Sequence, residues 1–219
     1  AEVENLSVLE ALIAQPSLSK GRYAAILEEG SDPRGIDVAL IYRPGKVKYR
    51  SHKAFPSAKS FKTRNVLYVK FTLGEKDTLH VFVNHWKSRS GGASETERQR
   101  IENAETLKYL TDSILSGNPR AKILAMGDFN DEPGNMSLAE TLKAEKPVKK
   151  ATGNHLYNLM YDRFLNGEGT LYYKDWDLFD QIIVSGNLLT AKKGNGAAIR
   201  PPYAWIFKQD WLLYKNKEG

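Results

Sequence analysis

The chain has 219 residues, 41% of them hydrophobic and 26% charged, with a formal charge of +6 and no cysteine. This excludes a disordered chain, a disulfide-stapled scaffold, a thiol nucleophile and a thiolate metal site, and no run of roughly 18 apolar residues is present to form a membrane helix. The positive balance favours anionic partners such as nucleic acid, phosphorylated ligands or an anionic lipid surface, although dispersed solvated lysines give the same sum.

Leu6, Leu9, Leu12 and Ile13 share one face at helical spacing, which predicts a helix over 6–14 that stops near Pro16. Alternation of Ile36, Val38, Leu40 and Tyr42 predicts a strand over 36–42, and Arg43-Pro44-Gly45 a turn into a second strand over 46–49, together a hairpin. Strands over 65–73 and 78–85 form a second pair across the charged turn Gly74-Glu75-Lys76-Asp77. A long helix is expected from Ser94 as N-cap, with Glu97 three residues on, through Ile101, Ala104, Leu107, Leu110 and Ile114 to the stop Gly117-Asn118-Pro119. A short strand over 123–126, a helix over 137–144 and strands over 178–185 and 204–214 complete the pattern. There is no internal repeat, low-complexity tract or long linker, so one domain over 1–219 is expected. Hairpin-paired strands with helices between them, and no strict helix and strand alternation, point to a mixed sheet or two stacked sheets flanked by helices.

Three places concentrate chemistry. Gly127-Asp128-Phe129-Asn130 follows an apolar strand, where a carboxylate and an amide two positions apart can face one cleft, the first to hold a metal or orient water, the second to bond a phosphate oxygen; a plain Asx turn uses the same residues. Asn84-His85-Trp86 ends a strand with an imidazole suited to acid-base work or to bonding a phosphate. Asp37 lies inside an apolar strand, where an unpaired charge is costly, so it calls for a partner: His85, or an arginine such as Arg34. Asp180, with Asp177 as competitor, heads another apolar strand. The loop Trp86-Lys87-Ser88-Arg89-Ser90-Gly91-Gly92 offers cations, hydroxyls and glycines to a polyanion backbone, or is simply solvated. Tyr172, Tyr173, Trp176 and Trp205 are candidates for stacking on bases or sugars, or for the core.

In order, Glu2-Val3-Glu4-Asn5, Asp32-Pro33-Arg34-Gly35-Ile36-Asp37-Val38-Ala39-Leu40, Val83-Asn84-His85-Trp86-Lys87-Ser88-Arg89, Gly127-Asp128-Phe129-Asn130 and Phe179-Asp180-Gln181-Ile182 resemble the successive motifs of the endonuclease/exonuclease/phosphatase superfamily, the group that contains deoxyribonuclease I. The resemblance spans essentially the whole chain. It implies an α/β (α+β) fold, a four-layer α/β/β/α sandwich with the site at one edge. It also implies a divalent-metal-dependent phosphodiester hydrolase using Mg²⁺ or Mn²⁺. Glu2 matches the metal-binding glutamate, with Asp128 as a further metal ligand, and Asp128 also matches the aspartate that orients or deprotonates the attacking water. By the same matching His85 lies near the scissile phosphate with Asp37 as its carboxylate partner, Asn130 contacts the phosphate, and Asp180 supports a second histidine. Lys87, Arg89, Asn84 and Arg34 are the candidate substrate contacts.

The chain departs from the pattern at both ends. No Ser-Asp-His tripeptide follows Asp180, none of His52, His80 or His155 stands in that context, and no strand precedes Glu2, so the first and last strands of the fold are expected to lie outside these residues. The leading expectation is a nuclease acting on DNA or RNA as a monomer without a stable protein partner. A phosphatase or phospholipase acting on phosphoinositides or sphingomyelin, and an inactive binding module, are the alternatives. The loop after His85 resembles that of bacterial, often secreted, nuclease-like members, which leans the compartment toward secreted or periplasmic.

Overall fold

The computed structural model describes residues 1–74, 77–191, 197–201 and 203–212. Asn5 accepts the Val8 amide at 3.1 Å and so caps helix α1 (Leu6–Ile13). Pro16 ends that helix as expected but opens a further turn, α2 (Pro16–Ser19), because its fixed φ suits a first helical position. Two short antiparallel strands follow, β1 (Ala24–Leu27) and β2 (Ala39–Tyr42), which form a two-stranded ribbon.

Strands β3 (Lys48–Phe55), β4 (Val66–Leu73), β5 (Asp77–His85), β6 (Lys122–Asp128), β7 (Ala144–Glu145), β8 (Leu156–Asn158) and β11 (Asp180–Ser185) make a seven-stranded mixed sheet in the order β3-β4-β5-β6-β11-β8-β7. Helix α3 (Ala93–Gly117) carries the crossover between the parallel neighbours β5 and β6. Helices α4 (Tyr161–Leu165) and α5 (Gly186–Thr190) and the hairpin β9 (Leu171–Tyr173) and β10 (Asp175–Asp177) complete the described elements, with a π-helical turn at Ser137–Thr141 and a 3₁₀ turn at Asp210–Leu212.

Strand alternation assigns the two faces of the large sheet. Phe82 of β5 and Ile123 and Ala125 of β6 face α3, packing with Ala104 and Leu107. Val81 and Val83 face the opposite way with Leu124 and Met126, against Ile26, Val38 and Leu40 of the ribbon region. Helix α1 packs on β1. Helix, large sheet, ribbon and helix therefore succeed one another, and no helix among the described residues is long and apolar enough to cross a membrane.

The expected β4–β5 pair, the strand before Asp128 and the long helix are present. The helix starts at Ala93, one residue before the expected cap, Ser94. The expected hairpin over 36–49 is not: β2 pairs with β1, and after Arg43 the chain passes to the other sheet, where β3 pairs with β4. The turn residues encode a reversal but not the partner, and Ala24-Ala25-Ile26-Leu27 offers β2 an apolar companion that the largely exposed, polar β3 does not. The expected strand over 204–214 is absent from its described part: Trp205, Phe207 and Trp211 are exposed with no ladder partner among the described residues, and Tyr214 lies outside the described residues, as do Glu75 and Lys76 of the charged turn. The helix expected over 137–144 shortens to its π-helical turn, because Ala144 is drawn into β7.

On the helix-facing side, His80 stacks on Tyr68 at 5.9 Å between centroids, and its Nδ1 lies 2.8 Å from the Tyr68 hydroxyl. Burial, reinforced by Lys70, pushes the His80 pKa down to about 4. The unfolded chain takes up a proton near pH 6.5 while folded His80 resists until about 4, so stability falls as pH drops through that window. Urea unfolding at pH 7 and pH 4.5 is expected to show this loss, and His80→Gln to reduce it; an unchanged slope in the variant contradicts the assignment.

Candidate active site

The site forms where β5, β6 and β11 end side by side. His85 pairs in register with Asp128, and Asp128 with Asp180, so three polar side chains on neighbouring strands share one face of the sheet, the face of Val83 and Met126. His85 Nε2 lies 3.5 Å from Asp128 Oδ2. Such close alignment depends on Gly127, whose φ is +132° and where a Cβ would stand 2.0 Å from the Asn84 carbonyl oxygen; only glycine permits this approach.

Asp128 Oδ1 accepts the Asn130 backbone amide at 2.8 Å, an Asx turn that holds Asn130 at φ +49°. The Asn130 side-chain amide donates to the Trp86 carbonyl at 3.1 Å, while Trp86 packs edge-on to Phe129, fixing the turn to the core. Burial raises the Asp128 pKa, and the charges of Asp180 and Glu2 raise it further. His85 behaves oppositely: burial, then Arg64, the chain's first amine and Arg34, hold its pKa down at about 3, so the imidazole is neutral. Its Nδ1 is buried and has no hydrogen-bond partner among the described residues.

Arg64, just before β4, is buried and donates to Asp32 at 3.2 Å and to the Trp86 carbonyl. Burial works against the Asp32 carboxylate, but hydrogen bonds from Arg34 and Arg64 win and hold its pKa at about 2. Val3 and Asp37 exchange backbone hydrogen bonds of 3.0 and 2.8 Å, which brings Glu2 to 3.8 Å from Arg34. Buried Arg64 and its partner Asp32 had no assigned role in the sequence reading; the available signal was a cation in Thr63-Arg64-Asn65 directly ahead of an apolar strand.

The profile of the endonuclease/exonuclease/phosphatase family matches residues 1–219. The chain belongs to this family. Solved structures with the same fold include the human Nocturnin catalytic domain with bound sulfate, at 20% identity and TM-score 0.55, covering 78% of this chain and 63% of that one. ANGEL2, a 2′,3′-cyclic phosphatase, in complex with adenosine-2′,3′-vanadate is similar at 13% identity and TM-score 0.64, with 84% and 68% covered. D. rerio TDP2 with a single-strand DNA product is similar at 16% identity and TM-score 0.54, with 83% and 68% covered. The chain thus spans a little under two thirds of the Nocturnin domain. Comparison with curated protein sequences returned no match.

Of the residues that the family motifs singled out, His85, Asp128, Asn130 and Asp180 come together, with Glu2 and Arg34 alongside. Asp180, not Asp177, stands opposite Asp128; Asp177 instead lies 3.7 Å from Arg89. Three expectations need correction. Asp37 is not hydrogen-bonded to His85, nor paired with Arg34: its buried carboxyl accepts the Gly30 amide and its pKa is raised by burial and by Glu29 and Asp32. Asn84 alternates onto the helix-facing side, fully buried, where it accepts from the Trp86 indole at 3.2 Å. Arg89 is committed internally, donating to the Asn130 carbonyl at 3.0 Å, to Asp131 at 3.1 Å and to Asn135 at 2.8 Å, and it lies over the Phe179 ring. Lys87 has no ion pair among the described residues and stays a candidate substrate contact.

Among the described residues no three histidine or carboxylate side chains converge closely enough to hold a metal. The donor chemistry nevertheless fits a hard divalent cation: Glu2, Asp128 and Asp180 offer carboxylate oxygens, the charges of Asp180 and Glu2 add to burial in raising the Asp128 pKa, and a cation would offset such an excess of negative charge.

Proposed function

We propose that residues 1–219 form one domain of a divalent-metal-dependent phosphodiester hydrolase that cleaves nucleic acid. The observation that carries this reading is the row His85, Asp128, Asp180 on one sheet face, in a chain of this family, with the buried guanidinium of Arg64 beside it. Glu2 and Asp128 would hold the Mg²⁺ or Mn²⁺ ion, which when bound supplies charge neutralisation at the phosphate and stabilises the leaving oxygen. The Asp128 carboxylate, with one oxygen fixed by the Asn130 amide, aligns a water for in-line attack and accepts its proton. Neutral His85 donates from Nε2 to a non-bridging oxygen, and the Asn130 amide and Arg64 add positive potential where charge grows. Arg34 and Lys87 meet the flanking backbone phosphates.

The test is turnover of plasmid DNA, RNA, a 2′,3′-cyclic nucleotide and phospholipid phosphodiesters with Mg²⁺, Mn²⁺ or EDTA. Polynucleotide cleavage is expected with metal and a loss of about 100-fold or more in EDTA. Lipid-only turnover sinks the nucleic-acid assignment, and absence of turnover on every substrate leaves a binding module.

A further inference from the structure

The hairpin of β9 and β10 rises from the same sheet edge as the candidate site. Thr170, the residue before it, accepts the amides of Phe179 and Asp180 through its hydroxyl at 3.2 and 3.1 Å and donates to the Asp177 carbonyl at 2.8 Å. The hairpin is therefore bolted to the first residue of β11, directly opposite Asp128. Its two faces differ. On one, Tyr172 pairs across the ladder with Trp176 at 5.1 Å between centroids, and Lys208 Nζ sits 3.5 Å above the Trp176 ring, which braces the hairpin from behind. On the other, Tyr173 shares the side of Asp177, whose carboxylate reaches Arg89 beside Asn130. Tyr173 is 74% exposed, and Lys174 Nζ lies 5.7 Å from its ring.

We propose that Tyr173 is a stacking platform for an unpaired nucleobase of a single-stranded substrate, with Lys174 meeting the adjoining phosphate. The inference rests on the hydrolase reading above and names the form of substrate that the site takes. An aromatic ring left open on a braced hairpin, next to a cation and on the hairpin face whose Asp177 reaches Arg89, has the parts used to hold single strands without sequence preference.

The experiment measures binding rather than turnover, so that its failure and that of the hydrolase reading remain distinct. Fluorescence anisotropy in EDTA compares a short labelled oligothymidylate with an abasic strand carrying the same phosphates. The unaltered protein is expected to prefer the base-bearing strand by roughly 5- to 150-fold. In Tyr173→Ala that preference is expected to fall to about one with abasic affinity kept, and in Tyr173→Phe, which keeps the ring, to persist. Equal affinity for the two strands in the unaltered protein overturns the proposal. So does a preference that survives Tyr173→Ala, or Tyr173-dependent binding to phosphatidylserine vesicles without any base preference.

Discussion

Asp128→Ala is expected to lower metal-dependent phosphodiester turnover by roughly 10²–10⁴-fold, the range for removing a positioned general base. Asp128 is central in the row, touching His85 at 3.5 Å, feeling the charge of Asp180 and Glu2, and holding the Asn130 turn through its other oxygen. Alanine removes the carboxylate and the turn acceptor together, and Asn130 at φ +49° then loses the bond that holds it there. Asp128→Asn separates the two effects: its amide oxygen can still accept the Asn130 amide, but it neither takes a proton nor binds a cation strongly. A comparable loss in both variants assigns the effect to the charge. Turnover within about tenfold of normal in Asp128→Asn shows that the carboxylate only shapes the turn.

Asp131→Ala is expected to destabilise the fold by about 3–5 kcal/mol, because it strands a buried guanidinium. The Asp131 and Arg100 side chains are each 2% exposed, with Arg100 Nε 2.7 Å from Asp131 Oδ1. The same carboxylate accepts from Arg89 at 3.1 Å and from the Ser137 hydroxyl at 2.6 Å, so it ties α3 and the loop after His85 to the segment that follows Asn130. Chemical denaturation is the measurement, and Asp131→Asn, which keeps hydrogen-bonding capacity without charge, is expected to fall between. A midpoint equivalent to less than about 1 kcal/mol of loss in Asp131→Ala marks the cluster as dispensable.

The legible part of the site was the part written in local sequence. A carboxylate or imidazole at the end of an apolar strand, as at His85, Asp128 and Asp180, is visible because alternation locates the strand and the polar residue marks its exit. Arg89 and Asn84 were misread because their motif surroundings say nothing of the face they take. Arg89 meets Asp131 and Asn135 some forty positions on, and Asn84 follows the pleat onto the helix side. Arg64 was missed for a similar reason, since its partners Asp32 and Trp86 lie 32 and 22 positions away.

The sequence by itself determined the family, the order of its motifs, the long helix α3 and the β4–β5 pair, because helical period, strand alternation and tight turns are short-range properties of the chain. Only the tertiary structure decided that β2 joins β1 rather than β3, that His85 meets Asp128 rather than Asp37, and that Arg89 and Arg100 serve Asp131 inside the fold. Those outcomes depend on which sheet edge is free and which buried charge needs neutralising. Packing of distant segments sets both.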